Sequence, residues 1–337
     1  MEKEDIRVTH VIVHILDSTV GTAVLSNSLV EHGSDFADFV KSHIHRILTS
    51  DEVKKCQFDQ DSQVYQMIGQ MDGDTFILKS QEIAQRLFDI MYSNIDIPSA
   101  DLMVVRFDAG QKAGIALLKM NYKSSYTHMT SYGEEGNCNT IIRQNAILPG
   151  ENQKLAEAAV VDFDDYSLLV LEKKYEINGV KTNYFTQMFL QCHGQMSPKT
   201  ELSIVTKAVE QIQKSYYEPS KQWEAQMETK SIINEELSQE GSIDIPKVAE
   251  KIFRDQPELK QEFTEKMEKY NLSEKRVAPQ NPATTRRYEK QCLVTDTGIE
   301  IKIPMEEYKN KDSVEFITNA DGSISVLIKN IGHIVSK

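Results

Sequence analysis

Three carboxylates stand close together at Asp162, Asp164 and Asp165, where one strand should turn into the next. Carboxylate oxygens at this spacing suit a hard cation such as Mg²⁺, and such a site would equip a metal-dependent enzyme that processes nucleic acid. A polar hairpin turn has the same composition, and we favour that interpretation. We therefore predict neither a metal site nor a cofactor, and we keep the metal-dependent enzyme as the alternative.

Cys192 and His193 are the second candidate for chemistry, because a histidine that meets a cysteine can activate it as a nucleophile. Neighbours in sequence need not face one another, however, and no Asp or Asn partner can be assigned. The chain also lacks the motifs GxGxxG, GxxxxGK[ST], GxSxG and HExxH. We predict a buried structural cysteine, no catalytic residues and a protein that is not an enzyme.

Residues suited to binding nucleic acid are concentrated between positions 271 and 290. This segment contains five Lys and Arg residues but only two carboxylates, Glu274 and Glu289. Arginine binds phosphate with two parallel hydrogen bonds, and the nearby Tyr288 offers a ring on which a base can stack. A solvated run of charge in a linker is the alternative, and we favour that interpretation. The cations that we nominate as nucleic-acid ligands are Lys275, Arg276, Arg286, Arg287 and Lys290.

A second polar and aromatic stretch covers residues 119–128. If this stretch is extended, alternate side chains lie on one face, and two lysines on that face can meet a nucleic-acid backbone or a protein. Lysines that keep a sheet edge soluble are the alternative. The nominated ligands here are Lys119, Lys123, Tyr126 and His128.

The elements that must position these residues begin with a strand at 6–16, rich in β-branched residues. Apolar residues at helical spacing predict a helix over 35–49 and another over 80–93, which Ser80 would cap. Hairpin signals then follow one another, in strand pairs and at the Asn178-Gly179 turn. We predict an α+β fold in which an antiparallel sheet with helices comes first.

Strand patterns at 101–107 and 113–121 form one of these hairpins, and those at 157–163 and 167–175 form the next. From about residue 200 the chain reads as a helical region, followed by a proline-containing connector at 277–285.

A small antiparallel sheet should end the chain, with one hairpin at 313–318 and 323–328. We therefore expect two domains, an α+β domain at 1–197 and, at 198–337, a helical region with a C-terminal β-hairpin subdomain.

The whole-chain charge restricts these hypotheses. The 337 residues contain 38 Lys and Arg against 51 Asp and Glu, which gives a formal net charge of −13. Such a chain cannot offer DNA phosphates a positively charged surface over the whole molecule. Direct contact with DNA is therefore confined to a local patch. The four cysteines form no CxxC pair and predict reduced thiols in the cytoplasm, and no apolar run is long enough to span a membrane.

Several segments together resemble one protein family. The most distinctive is LLKMNYKSSYTH at 117–128, and the others follow it or flank it in order: DLMVVRF at 101–107, AILPGENQKLAEAAVVDF at 146–163, YFTQMFLQCHG at 184–194, TDTGIEIKIP at 295–304 and NADGSISVLIKN at 319–330. In order and spacing the chain resembles the bacterial nucleoid-associated proteins of the YejK/NdpA type. The resemblance implies association with the nucleoid in the cytoplasm, and it carries over no catalytic residues.

Together these observations predict a non-enzymatic nucleoid-associated protein. It would bind DNA through a local basic patch, or reach the nucleoid through a protein partner such as a DNA-processing protein, since acidic surfaces suit basic partners. We expect a homo-oligomer, with a homodimer as the commonest case, and no membrane partner.

Overall fold

The structure is a computed structural model that describes residues 2–31, 33–110, 112–133 and 136–335. The chain divides into two compact units, Met1–Ser197 and Pro198–Lys337. Within the described residues, no helix is both long enough and apolar enough to cross a bilayer.

In its described residues, the first unit is built on antiparallel strands, three α-helices, a π-helix and a short 3₁₀-helix at Lys3–Asp5. Its strands are β1 (Ile6–Leu16), β2 (Lys54–Phe58), β3 (Ala100–Ala109), β4 (Lys112–Asn121), β5 (Lys123–Gly133), β6 (Gly136–Ile147), β7 (Glu157–Asp162), β8 (Leu168–Leu171), β9 (Tyr175–Ile177), β10 (Val180–Thr182) and β11 (Cys192–Gly194). Its helices are α1 (Ser34–Leu48), α2 (Gln63–Gly69) and α3 (Phe76–Tyr92), and a π-helix spans Phe185–Leu190. Seven strands form the main sheet in the order β1-β3-β4-β7-β8-β2-β11.

Helices cover both faces of this sheet. Val40 and Ile44 of α1 belong to one core cluster, and Ile83 and Leu87 of α3 belong to the other. Alternate residues of β3 and β4 divide between the two clusters, which explains why these strands are apolar at nearly every position. The main sheet therefore gives the first unit a rigid base.

One helix boundary in this unit was predicted wrongly. The helix expected at 80–93 begins at Phe76, and Ser80 lies inside it, buried. The Ser80 hydroxyl bonds to the His14 ring and donates to the Ile77 carbonyl, so it serves the core instead of a helix end.

The second unit has a helical part followed by two hairpins. Its helices are α4 (Pro198–Tyr216), α5 (Pro219–Glu240), α6 (Ile245–Ile252), α7 (Pro257–Glu268), α8 (Pro282–Glu289) and α9 (Met305–Tyr308). Its strands are β12 (Ile243–Asp244), β13 (Arg276–Val277), β14 (Lys290–Val294), β15 (Glu300–Pro304), β16 (Val314–Thr318) and β17 (Ile324–Ile328). Met227, Ile303 and Met305 lie in its buried core, and Trp223 packs on Phe316 with ring centroids 4.8 Å apart.

The predicted α+β class is confirmed, but the connector predicted at 277–285 is wrong in its second half. Asn281 caps α8 by accepting the backbone N–H of Ala283, and Pro282 occupies the first helical position. A proline there has no hydrogen bond to lose, so it starts a helix instead of breaking one.

Candidate nucleic-acid interface

A two-stranded ribbon extends from the first unit between the main-sheet strands β4 and β7. Its strands β5 and β6 pair from Lys123 with Ile147 to Gly133 with Gly136, and no other described strand pairs with either. At about 3.4 Å per residue, eleven residues give a length of about 37 Å. Every residue of β6 is exposed except Ile142 and Ile147, which are half-buried. The ribbon therefore offers two faces and two edges to solvent.

The composition of the ribbon differs sharply from that of the chain. Its two strands contain Lys123, His128 and Arg143 but no Asp or Glu, although the chain carries 51 carboxylates. The remaining side chains are mostly hydroxyls, amides, tyrosines and aliphatic groups. The two residues between the strands are Glu134 and Glu135, so the absence of carboxylates is confined to the strands themselves.

One face of the ribbon collects the side chains best suited to nucleic acid. Cross-strand partners lie on the same face, and Tyr126 pairs with Arg143, His128 with Ile141, and Tyr132 with Asn137. The Tyr126 and Tyr132 residues are 71% and 81% exposed. The Arg143 guanidinium donates to the Ser124 hydroxyl at 3.0 Å and has no carboxylate partner among the described residues. We call this the Tyr126 face.

The nominated residue Lys123 does not share the Tyr126 face. Between the pairs Lys123–Ile147 and Ser125–Gln144, β6 contains one residue more than β5. The extra residue lies in β6 and leaves β5 regular. Alternation along β5 therefore puts Lys123 on the side of Ser125, opposite Tyr126. Its ammonium group donates to the Gln153 side chain at 2.7 Å. Lys123 thus marks the base of the ribbon.

Lys119 lies apart from the other nominated residues of this segment. It belongs to β4, is fully buried, and forms an ion pair with the equally buried Glu157 at 3.4 Å. It also donates to the Pro98 carbonyl at 3.1 Å and to the Asn121 side chain. Burial lowers the pKa of Lys119 to about 8, although Glu157 opposes that shift. A side chain in this position cannot reach a phosphate, so we assign Lys119 a structural role.

The five nominated cations of the second unit fall into two groups, and those of the first group form ion pairs and hydrogen bonds within the unit. Lys275 forms an ion pair with the buried Glu201 at 2.5 Å. Arg276 donates to the Ser242 hydroxyl at 2.5 Å and lies 3.5 Å from a Glu240 carboxylate oxygen. These contacts tie the β12–β13 pair to the helices.

The second group surrounds the end of α8. Arg286, Arg287 and Lys290 are exposed, and none of them has a carboxylate within ion-pair distance among the described residues. The Arg287 guanidinium lies 5.0 Å from the ring centroid of Tyr288. Tyr288 itself is buried, and its hydroxyl bonds to Thr206 at 3.0 Å, so the expectation that it stacks on a base is wrong.

The acidic turn has a structural explanation. Asp162 forms an ion pair with Lys112 at 2.5 Å and accepts the backbone N–H of Asp164 at 3.0 Å. Asp165 accepts the backbone N–H of Ser167 at 2.9 Å. No group of three His, Cys, Asp or Glu able to hold a metal ion occurs among the described residues. The carboxylates thus close the turn between β7 and β8, as the favoured interpretation has it.

The neighbours Cys192 and His193 face different surroundings. Cys192 is buried, and a hydrogen bond with Cys56, reinforced by burial, raises the pKa of its thiol. A nucleophilic cysteine needs the opposite shift. The exposed His193 ring nitrogen Nδ1 lies 2.5 Å from Asp59. The structure therefore does not assemble these residues into a nucleophile and its base.

Sequence reasoning missed the β6 half of the Tyr126 face, namely Arg143 and the asparagines Asn137 and Asn139. The signal available was the composition of Gly136–Ile147, twelve residues with one arginine and no carboxylate. Its pairing with β5 could not be read because neither strand has an apolar face.

Comparison with known proteins gives one informative result. A family model described as nucleoid-associated protein YejK matches residues 12–334, nearly the whole chain. Among curated proteins there is no match.

Proposed function

The chain belongs to the family of the nucleoid-associated protein YejK, and from that premise we propose that it binds duplex DNA directly through the Tyr126 face of the β5–β6 ribbon. The protein acts as a binding protein of the cytoplasmic nucleoid and catalyses no reaction. The observation that carries this proposal is a pair of exposed strands without Asp or Glu on a chain with a net charge of −13.

The dimensions of the ribbon support a groove contact. The major groove of B-DNA is about 12 Å wide and admits a two-stranded β-ribbon. A ribbon of about 37 Å follows roughly one helical turn, which advances about 34 Å. In that position Arg143, Asn137 and Asn139 present donors and acceptors to base edges. Tyr126 and Tyr132 supply contact area without adding charge.

Phosphate contacts come from the exposed cations. Arg143 on the Tyr126 face can neutralise a phosphate, whereas Lys123 lies on the opposite side of the ribbon. In the second unit Arg286, Arg287 and Lys290 form a separate patch with the same capacity, since arginine and lysine both bind phosphate. We assign the ribbon the first role because it combines groups that can read bases with groups that bind phosphate.

A protein-mediated route to the nucleoid is the second candidate, and the acidic surface supports it. A net charge of −13 attracts a basic partner over most of the molecule. Affinity capture of the full-length protein from nuclease-treated extract separates the two routes. Partners that survive nuclease favour bridging, whereas partners that are lost with the nucleic acid favour direct contact.

Direct contact is tested with purified full-length protein and a labelled duplex of about 20 base pairs in an electrophoretic shift assay. The proposal predicts a shift at micromolar protein in 50 mM salt, weakened in 200 mM salt because counterions are released on binding. Absence of a shift at low salt would sink direct DNA binding.

A further inference from the structure

The strand β6 presents an unprotected edge. From Gly136 to Gln144 its pairing with β5 is regular, and its other side pairs with no described strand. This stretch contains no proline and no carboxylate, and Arg143 is its one charged residue. Soluble proteins usually block such an edge with charges, prolines or bulges, because its free N–H and C=O groups accept another strand.

The strongest strand-forming run of the ribbon lies at the middle of this edge. Thr140, Ile141 and Ile142 are all β-branched, and Ile141 is 70% exposed. The extra residue of β6 falls between Gln144 and Ile147 and ends the regular edge there. The edge open to pairing is therefore nine residues long, from Gly136 to Gln144, and it is centred on Thr140.

We propose that this edge pairs with the same edge of a second copy of the chain, in antiparallel orientation, with Thr140 opposite Thr140 on the two-fold axis. This register uses all nine residues and sets Arg143 opposite Asn137 of the other copy, so no like charges meet. It also pairs threonine with threonine, a favourable cross-strand combination. A two-fold interface brings each patch against its own copy, as an antiparallel pair of identical strands requires.

Self-association by this edge is weak on geometric grounds. Nine residues give a contact about 30 Å long, and a sheet thickness of about 10 Å gives on the order of 300 Å² per copy. The area buried on both copies together, about 600 Å², lies below the roughly 1,200 Å² that stable complexes bury and is typical of transient complexes. The pairing makes a four-stranded sheet about 19 Å wide, which exceeds the roughly 12 Å width of the major groove. A paired ribbon therefore does not enter the groove, and self-association competes with the proposed DNA contact.

Disulfide trapping tests the register. In the native chain Cys138 is an exposed thiol of β6, Cys292 is the other exposed thiol, and Cys56 and Cys192 are buried. The proposed register places the two Cys138 residues four positions apart, about 14 Å, which is too far for a disulfide. In contrast, the two Thr140 positions are directly opposed, with Cα atoms about 5 Å apart.

The test variant carries Thr140→Cys with Cys138→Ser and Cys292→Ser, and the control carries Cys292→Ser alone. Both full-length proteins are oxidised with diamide, which is reduced to the hydrazine as two thiols form each disulfide. The proposal predicts that the Thr140→Cys chain forms covalent dimer at least ten times faster than the control. Equal rates, or faster dimer formation by the control, overturn the proposed pairing.

A charge variant separates this proposal from DNA binding. Thr140→Lys sets two ammonium groups against each other on the axis, and Ser131→Lys places the same charge on β5 as the control. Sedimentation should show the native chain and the Ser131→Lys chain associating as concentration rises, whereas the Thr140→Lys chain stays monomeric. DNA affinity of the Thr140→Lys chain should not fall, since the added charge is positive. A native chain that remains monomeric throughout would contradict the self-association while leaving the DNA proposal untouched.

Discussion

His14 is held in its neutral form by the core of the first unit. The backbone N–H of Ser26 donates to ring nitrogen Nδ1 at 3.1 Å, so the ring proton must lie on Nε2, which is 3.0 Å from the Ser80 hydroxyl. Burial lowers the pKa of His14 to about 4. A second proton would have to lie on Nδ1, pointing directly at the N–H of Ser26.

This arrangement predicts acid sensitivity. Because the pKa is lower in the folded chain than the 6.5 or so of the unfolded chain, the unfolded state binds more protons between pH 6.5 and 4. His14 should thus contribute about 3 kcal/mol of stability at pH 7 that is lost as the pH falls to 4. Urea unfolding of the native chain and of His14→Gln at pH 7 and pH 4.5 measures this contribution. The variant should be less stable at pH 7 and should depend less on pH, and parallel pH profiles would refute the assignment.

The buried pair of Lys119 and Glu157 predicts a strongly non-additive response. Lys119→Met alone leaves the Glu157 carboxylate without its charged partner in the core, which should cost about 3–5 kcal/mol of unfolding free energy. Adding Glu157→Gln removes the isolated charge and should recover most of that loss. Chemical unfolding of the single and double variants at pH 7 decides the matter. Simple additivity of the two substitutions would show that the pair is not coupled.

At the scale of elements, the sequence predicted well those strands and turns whose signal is local. The hairpin of β3 and β4 was expected from two apolar strands, and the structure confirms it. The turn at Asn178-Gly179 is confirmed as well, since both residues have the positive φ angles that such a turn requires. The aromatic stretch at 184–190, which follows this turn, forms a π-helix at Phe185–Leu190.

The ribbon escaped prediction for a physical reason. Strand patterns are recognisable when one or both faces are buried, and β5 and β6 bury neither. Tyr126 and His128 could be nominated from composition, but Tyr126 and Arg143 are 17 residues apart, and their pairing depends on the register of the two strands. Lys123 lies three residues before Tyr126, so alternation along β5 alone puts it on the opposite face, and this part of the arrangement could be read from the sequence.

The packing of the main sheet predicts a sharp contrast between two glycines. A Cβ atom at Gly114 in β4 would lie 2.6 Å from the Val161 carbonyl oxygen of the neighbouring strand, whereas nothing lies within 4 Å of one at Gly150. Gly114→Ala should therefore push β4 and β7 apart and cost about 1–3 kcal/mol, as overpacked cores do. Gly150→Ala should change stability by less than about 0.5 kcal/mol. Equal melting temperatures for the two variants would contradict this account of the sheet.

At the scale of the whole molecule, charge distribution decides how an acidic protein reaches nucleic acid. Most of the excess lies in residues 1–200, which hold 18 Lys and Arg against 27 Asp and Glu. The two ribbon strands, which contain no Asp or Glu, belong to this same part of the chain. Under the proposed DNA contact, repulsion by the acidic surface would favour approach of the duplex to these strands.

The number of phosphates predicts the salt dependence. The one Lys or Arg of the Tyr126 face, Arg143, gives a slope of about −0.9 for the logarithm of affinity against the logarithm of salt concentration. A rise from 50 to 200 mM salt should then lower affinity about 3.5-fold. Participation of the three cations near α8 would steepen the slope to about −3.6, and Arg286→Ala and Arg287→Ala would then flatten it. Fluorescence anisotropy over this range distinguishes the two cases.

The most direct test of the central claim compares Arg143→Ala with Lys181→Ala, which removes an exposed strand cation from the same unit outside the ribbon. Anisotropy titrations of a labelled duplex should show the Arg143→Ala chain binding about 5- to 100-fold more weakly, with a salt slope smaller by about one. The Lys181→Ala chain should keep the native affinity and slope within about twofold. If the Arg143→Ala chain instead binds as tightly as the Lys181→Ala chain, with the native salt slope, the ribbon does not contact DNA.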